Sequence, residues 1–369
     1  MNRLVLIGNG FDLAHGLKTS YKDFIYWYWK QRVKSLHDVL SDTSVDPLCT
    51  LEVSGTKWST YYYEKSEFLN KADGKELLQF LRKSPNRFTI RCTPFIQNIH
   101  NSLETKKWVD IENEYYQLLK KCTENADCGY SVKELNDQLA FLQAKLIEYL
   151  STIEKNQYKR DLHDAMIYYF DPADFSTEGE EMALENLGLI KMDLDKVHNN
   201  LELQKKLRPE RIMVLSFNYT ATVKMYGNFN LDFNYIHGEL EHPENIIFGY
   251  GDELDKDYQD ILDRNDNELL KNVKSVKYLE TRHYHDLLAF LKFAPFQVLI
   301  MGHSCGNSDR TLLNTVFEHE NCVSIKPFYH EWDDGSDNYL ELVQNISRNF
   351  TNPKLFRDRV VNKEQCSTI

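Results

Sequence analysis

No apolar run in this chain approaches the ~20 residues needed to cross a bilayer, so a membrane-spanning helix is excluded and no membrane partner is expected. The seven cysteines, Cys49, Cys92, Cys122, Cys128, Cys305, Cys322 and Cys366, include no close pairs. That spacing excludes a disulfide framework and fits a reducing, cytoplasmic setting. Cys122 and Cys128 lack the spacing and the second pair of a zinc knuckle, and no clustered metal–carboxylate motif is present, so no metal is expected. A basic excess is missing too. The formal charge is −12, which argues against a protein that gains affinity by neutralising phosphates, so nucleic acid is not the expected partner. The one dense basic cluster, Lys205, Lys206, Arg208 and Arg211, reads as a solvated helix end. Internal repeats and low-complexity segments are absent. The chain opens directly on a strand pattern, from which no leader is expected.

What is present is an α/β pattern. Residues 3–8, 212–217, 234–237, 246–249 and 297–302 read as strands, with a sixth at 322–327. Their unbroken apolar character predicts a sheet covered on both faces. Helical patterns lie at 20–33, 132–153, 191–207, 258–273, 282–293 and 309–319, with a closing helix at 337–350. Alternation of the two predicts a Rossmann-like, mostly parallel sheet flanked by helices. The spacing is lopsided, because about 200 residues separate the first strand from the next convincing one. The expected partition is a nucleotide-binding core at 1–33 and 208–369, and a largely helical insertion or lid at 34–207. Within the insertion, 42–65, 123–130 and 171–180 read as loops. The last residues, 363–369, are expected to fray.

Four stretches fall at strand ends. Gly8-Asn9-Gly10-Phe11-Asp12 is a strand–glycine turn–helix, which suits a phosphate brought close to bare backbone. Asp12 would repel a phosphate and fits a ribose or a helix cap better. Ser216-Phe217-Asn218-Tyr219-Thr220 puts a carboxamide where open α/β sheets bind ligands; Asn218 could hold water or a ribose hydroxyl, and Asn218 and Thr220 equally suit N-caps. His237-Gly238-Glu239 offers a proton acceptor near neutral pH, with Glu239 either orienting it or solvated. Gly302-His303-Ser304, running on through Cys305 to Asp309, forms a second small-residue cradle, with Ser308 or Asp309 as a helix cap. Cys305 has no activating partner in the sequence. Inside the insertion, Trp108, Ile111, Tyr115 and Leu118 recur at helical spacing and read as core, and Glu112 is a candidate pocket acid.

Taken in order, Gly8 to Gly16, Trp108 to Glu112, Phe217-Asn218-Tyr219-Thr220, His237-Gly238 and Gly302-His303-Ser304 with Asp309 resemble the AbiH family of phage abortive-infection proteins. The resemblance implies a bacterial anti-phage protein that halts growth or kills the infected cell, with a phage-encoded trigger as an expected partner. A more distant resemblance links the same order of motifs to the sirtuin superfamily, whose members bind NAD and break its nicotinamide–ribose bond. By that likeness Asn218 and His237 match the catalytic pair. Gly8 and Gly10 match the pyrophosphate turn, and Gly302 and Ser304 the second nucleotide loop; Asn9, Phe11, Asp12, His303 and Asp309, in the same two stretches, are the further candidates for binding the cofactor. Departures are the Gly-Asn-Gly turn, Phe11-Asp12 in place of a small residue and serine, and a missing zinc ribbon. Hydrolysis of NAD is therefore the implied reaction, with self-association as one way to gate it. The alternatives are a non-hydrolytic sensor of NAD or a related adenine nucleotide, and a nucleic-acid-directed effector.

Overall fold

The computed structural model describes residues 1–38, 42–55, 57–106, 109–124, 129–153, 159–171, 174–189, 199–227 and 231–369. Among these, eight strands follow in chain order: β1 (Asn2–Ile7), β2 (Thr43–Val45), β3 (Cys49–Val53), β4 (Phe88–Cys92), β5 (Ile212–Ser216), β6 (Leu231–Tyr235), β7 (Phe296–Met301) and β8 (Cys322–Phe328). The chain divides into two compact units. One comprises Met1–Leu17, Glu154–Gln259 and Val273–Ile369; the other comprises Lys18–Ile153 and Asp260–Asn272. The expected partition puts 1–33 and 208–369 in the core and 34–207 in the insertion; here 18–33 and 260–272 group with the second unit and 154–207 with the first.

The first unit is built on a five-stranded, wholly parallel sheet in the order β6-β5-β1-β7-β8. Counted within the unit, the strands lie third, second, first, fourth, fifth. The order reverses between β1 and β7, the switch point where doubly wound folds open a ligand crevice at the carboxyl ends. Every residue of β1, β5 and β7 is buried, as continuous apolar runs in a two-faced sheet should be. The pleat deals them alternately to two cores. Leu4 and Leu6 join Leu215, Val298, Ile300, Leu313 and Phe317 on one face. Val5 and Ile7 join Val214, Leu299, Met301, Phe11 and Tyr226 on the other.

The second unit carries an antiparallel sheet, β2-β3-β4, among helices that include Tyr21–Asp38, Trp58–Lys71, Gly74–Lys83, Pro94–Lys106, Ile111–Glu124 and Val132–Ser151. Ile111, Tyr115 and Leu118 are buried, as a core stripe requires; Trp108 lies outside the described residues. Trp29 is fully buried, and its indole N–H donates to His100 Nε2 at 2.9 Å. That bond needs a neutral imidazole. Burial, and then Arg82, pushes His100 down to about 4. Because the unfolded histidine titrates near 6.5, stability falls as pH drops from about 6.5 and the loss is complete near pH 4, at about 3 kcal/mol for this one group. His15 and His237, also lowered by burial, act with the same sign. Denaturant midpoints at pH 7.5 and 4.5 should therefore differ less in His100→Gln than in the wild type.

Several expectations need correcting. The strand at 234–237 is β6, which starts earlier because 231–235 is the stretch in register with β5. Residues 246–249 are not a strand. Ile246, Ile247 and Phe248 are buried, but the Ile247 N–H bonds the His237 carbonyl beyond the end of β6, so burial there is loop packing. The helix at 258–273 is two short ones, Tyr258–Asp263 and Asn267–Leu270, broken at left-handed Asn265 (φ 52) and restarted by the Asp266 cap. The stretch at 42–65 holds β2, β3 and the start of Trp58–Lys71. A helix, Thr177–Leu187, begins inside 171–180 under a Ser176 cap. Of 191–207, residues 191–198 lie outside the described residues, and the rest contributes the helix Leu201–Lys206. Residues 363–369 do not run free: Tyr329 N–H bonds the Ser367 carbonyl at 3.1 Å and Ile369 N–H the Tyr329 carbonyl at 2.9 Å. Among the described residues no helix is long and apolar enough to cross a membrane.

Candidate active site

The β1 turn and the loop after β7 meet backbone to backbone. Gly10 N–H donates to the Gly302 carbonyl at 2.8 Å, Gly8 N–H to the Met301 carbonyl at 3.2 Å and Phe11 N–H to the Gly8 carbonyl at 2.9 Å. A Cβ on Gly8 would lie 2.4 Å from His303 Cα, and one on Gly10 would lie 2.8 Å from Gly302 Cα. These glycines allow two loops to touch, and the Gly8, Gly10 and Phe11 N–H groups of the expected phosphate cradle are bonded to protein carbonyls. Asn9 and Ser304 are exposed.

Two buried polar groups flank this junction, both inside the first unit. In the first, Asn218 Nδ2 donates to the Gly8 carbonyl at 3.0 Å, which ties the end of β5 to the β1 turn. Thr220 Oγ1 donates to Asp12 Oδ2 at 2.5 Å, and Thr222 donates to Thr220 at 3.2 Å. Asn218 and Thr220 therefore work across the sheet rather than as caps. Asp12 is 1% exposed and its Oδ1 has no hydrogen-bond partner among the described residues. Burial raises its carboxyl above the ordinary range, and the Thr220 bond opposes this. His15, one turn along, holds the Phe11 carbonyl and the Tyr226 hydroxyl.

The second group centres on Asp309. It occupies the N-cap position of the helix Arg310–Phe317 without making a cap bond. Its carboxylate instead turns inward. Lys274 Nζ lies 2.8 Å and His237 Nε2 3.2 Å from Oδ1, and His303 Nε2 lies 3.4 Å from Oδ2. His237 Nε2 is also 3.2 Å from the Tyr278 hydroxyl. The Phe217 ring sits between the imidazoles, 4.1 Å from His303 and 5.2 Å from His237. Cys305 N–H donates to His303 Nδ1 at 3.0 Å, which assigns the proton of that ring to Nε2. Burial raises the Asp309 carboxyl, but Lys274 and His237 outweigh it and hold the group well below 3.8. Burial, reinforced by Lys274, lowers His237 below 6.5 against the pull of Asp309. An aspartate that accepts the Nε2 proton of a neutral histidine leaves Nδ1 as the basic atom, an arrangement suited to general-base work.

Not every expected member takes part as expected. Glu239 does not orient His237; it pairs with Lys224 at 2.6 Å. Cys305 is fully buried and its thiol is raised by that burial, so it is no nucleophile. Glu112 is buried near the start of Ile111–Glu124 in the second unit. Asn218 and His237 lie just past the ends of neighbouring strands, and their side chains bond to different partners rather than to each other. Lys274 and Tyr278 were not found from sequence. No local pattern marks them, since Lys274 meets its partner 35 residues away.

Strand order and site together define a doubly wound α/β protein with a buried, ion-paired histidine cluster whose histidines follow the carboxyl ends of β6 and β7. Comparison with known families carries this further. The chain belongs to the bacteriophage abortive infection AbiH family, whose model matches residues 4–330. Membership implies a role in abortive infection by bacteriophage. No curated protein and no solved structure matches the chain.

Proposed function

We propose that this abortive-infection protein binds NAD at the carboxyl ends of β1, β5, β6 and β7 and hydrolyses its nicotinamide–ribose bond. The observation that carries the reading is His237, buried at a strand end and oriented by Asp309, one strand from Asn218. In the reaction the C1′–N bond breaks with its electron pair leaving on nicotinamide, and the ribose becomes oxocarbenium-like. Water adds to C1′ and gives its proton to His237 Nδ1, so that NAD and water become ADP-ribose, nicotinamide and a proton. The Asn218 amide, steadied by the Gly8 carbonyl, presents its oxygen to a ribose hydroxyl or to the water. The motif order shared with sirtuins supports the same assignment.

A second reading, a nucleotide sensor without turnover, draws on the enclosure of the site. Asn218, His237, His303 and Asp309 are each less than a tenth exposed, and the Gly8, Gly10 and Phe11 N–H groups of the turn are occupied. One assay separates the readings. Purified protein is incubated with NAD, with and without phage lysate, and free nicotinamide is followed. Turnover is expected, falling at least ~100-fold in His237→Ala and Asn218→Ala. Absence of turnover in both conditions overturns the hydrolytic reading. NAD binding without turnover establishes the sensor, and nicking of plasmid or tRNA would point to a nucleic-acid effector. Self-association is proposed as the gate on activity, and a monomeric active species would contradict it.

A further inference from the structure

Lys274 is wholly buried, and its ammonium sits 2.8 Å from Asp309 Oδ1, the oxygen that also receives His237. A buried ammonium survives only beside a counter-charge, and one carboxylate supplies it here. The local backbone fixes the pairing. Lys274 N–H donates to the Tyr250 carbonyl at 2.7 Å, and Val273 bridges Tyr250, so the short helix Lys274–Lys277 starts where Nζ reaches Asp309.

We infer that Lys274 is a positioning residue of this site: by keeping Asp309 ionised and its charge balanced, it holds His237 in the neutral, Nε2-protonated form that leaves Nδ1 to act as base. The catalytic consequence rests on the hydrolytic reading above; the arrangement itself does not. With one ammonium and one carboxylate the cluster is neutral, and a proton added to His237 would leave it with a net positive charge. Without Lys274, the same carboxylate would, among the described residues, face His237 and His303 and would draw a proton onto His237. The groups that face His237 are Asp309 from the start of Arg310–Phe317, His303 from the loop after β7, and Lys274 and Tyr278 from the segment after Val273. Removal of Lys274 should therefore raise the proton affinity of His237, and Arg at this position should not.

The test is histidine titration by NMR on the full-length, ring-labelled protein, with His237→Gln and His303→Gln for assignment. In the wild type at pH 7 the His237 ring should read as the neutral Nε2–H tautomer; a charged ring or an Nδ1–H tautomer there overturns the inference. In Lys274→Met the His237 midpoint should move up by at least about one pH unit, tenfold in proton affinity, while Lys274→Arg keeps the wild-type value. An unmoved midpoint in the Met variant, or a Met-like midpoint in the Arg variant, overturns it as well. Should Lys274→Met not fold, the wild-type tautomer and the Lys274→Arg midpoint still decide. Where NAD is turned over, the acidic limb of kcat should shift upward with that midpoint and KM should hold. Loss of turnover with the NMR result intact would remove the hydrolytic reading alone.

Discussion

Asp309→Ala is expected to lower the stability of the folded chain by about 3–5 kcal/mol, the usual cost of leaving one half of a buried ion pair behind. The Lys274 side chain is fully buried and Asp309 lies 2.8 Å from it, so water cannot replace the lost carboxylate without opening the core. The same substitution frees the Nε2 side of His237 and should abolish turnover of NAD under the hydrolytic reading. Stability is measured by denaturant unfolding, and the informative comparison is the double variant. Lys274→Met with Asp309→Ala removes both charges together, so it should be more stable than Asp309→Ala alone, by about 2 kcal/mol. Strict additivity of the two single changes would show that the pair is not coupled. The pH dependence has a distinct window. Asp309 is held below 3.8 in the folded state, so its contribution is fully present above that value and is lost as pH falls through the lowered one. The buried histidines act earlier, from about pH 6.5 downward. Asp12, raised by burial, opposes the loss between 3.8 and its own higher value, because there the folded state holds the extra proton.

The parts of this fold that were legible in the sequence are those whose physics is local. β1, β5, β7 and β8 are buried along nearly their whole length, so they stand out as apolar runs, and alternation with helices then implies a parallel sheet. β2, β3 and β4 were not legible, because strands such as Thr43–Val45 and Cys49–Val53 are short and polar on one side, and the pairing of β3 with β4 joins residues about 40 apart in the chain. The opposite failure occurred at 246–249, where apolar residues are buried without joining a ladder. The sequence offers Ser308 or Asp309 as a helix cap, and Asp309 holds the N-cap position without a cap bond; that its carboxylate turns from the helix to His237 depends on a lysine reached only through the fold. Lys274 shows the limit most clearly. A lone lysine beside serine reads as solvated surface, and only the topology places it in the interior.

Gly302→Ala is the second substitution with a large expected effect, and its cause can be separated from ordinary glycine strain. Gly302 has φ +75, and a Cβ there would stand 2.0 Å from Phe11 N and 2.5 Å from Gly10 C, both backbone atoms of the β1 turn. Gly335 has nearly the same backbone, φ +78, with nothing within 4 Å of the added carbon. Gly335→Ala therefore measures the left-handed penalty alone, about 1–2 kcal/mol. Gly302→Ala adds an overlap that no side-chain rotation relieves, and it should cost at least about 2 kcal/mol more. The damage should also reach the site. If the β1 turn moves away, the Gly8 carbonyl leaves Asn218 Nδ2, and Asp12, carried on the helix Asn9–Ala14, leaves Thr220. Unfolding midpoints of the two variants, with NAD binding by calorimetry, check both halves. Equal midpoints would mean that the two loops are not in contact, and unaltered binding by a folded Gly302→Ala would uncouple the junction from the ligand. The same contact explains why glycine stands at 8, 10 and 302: the close approach these residues permit is of one strand-end loop to another, and Asn218 is tied to the β1 turn that this junction holds in place.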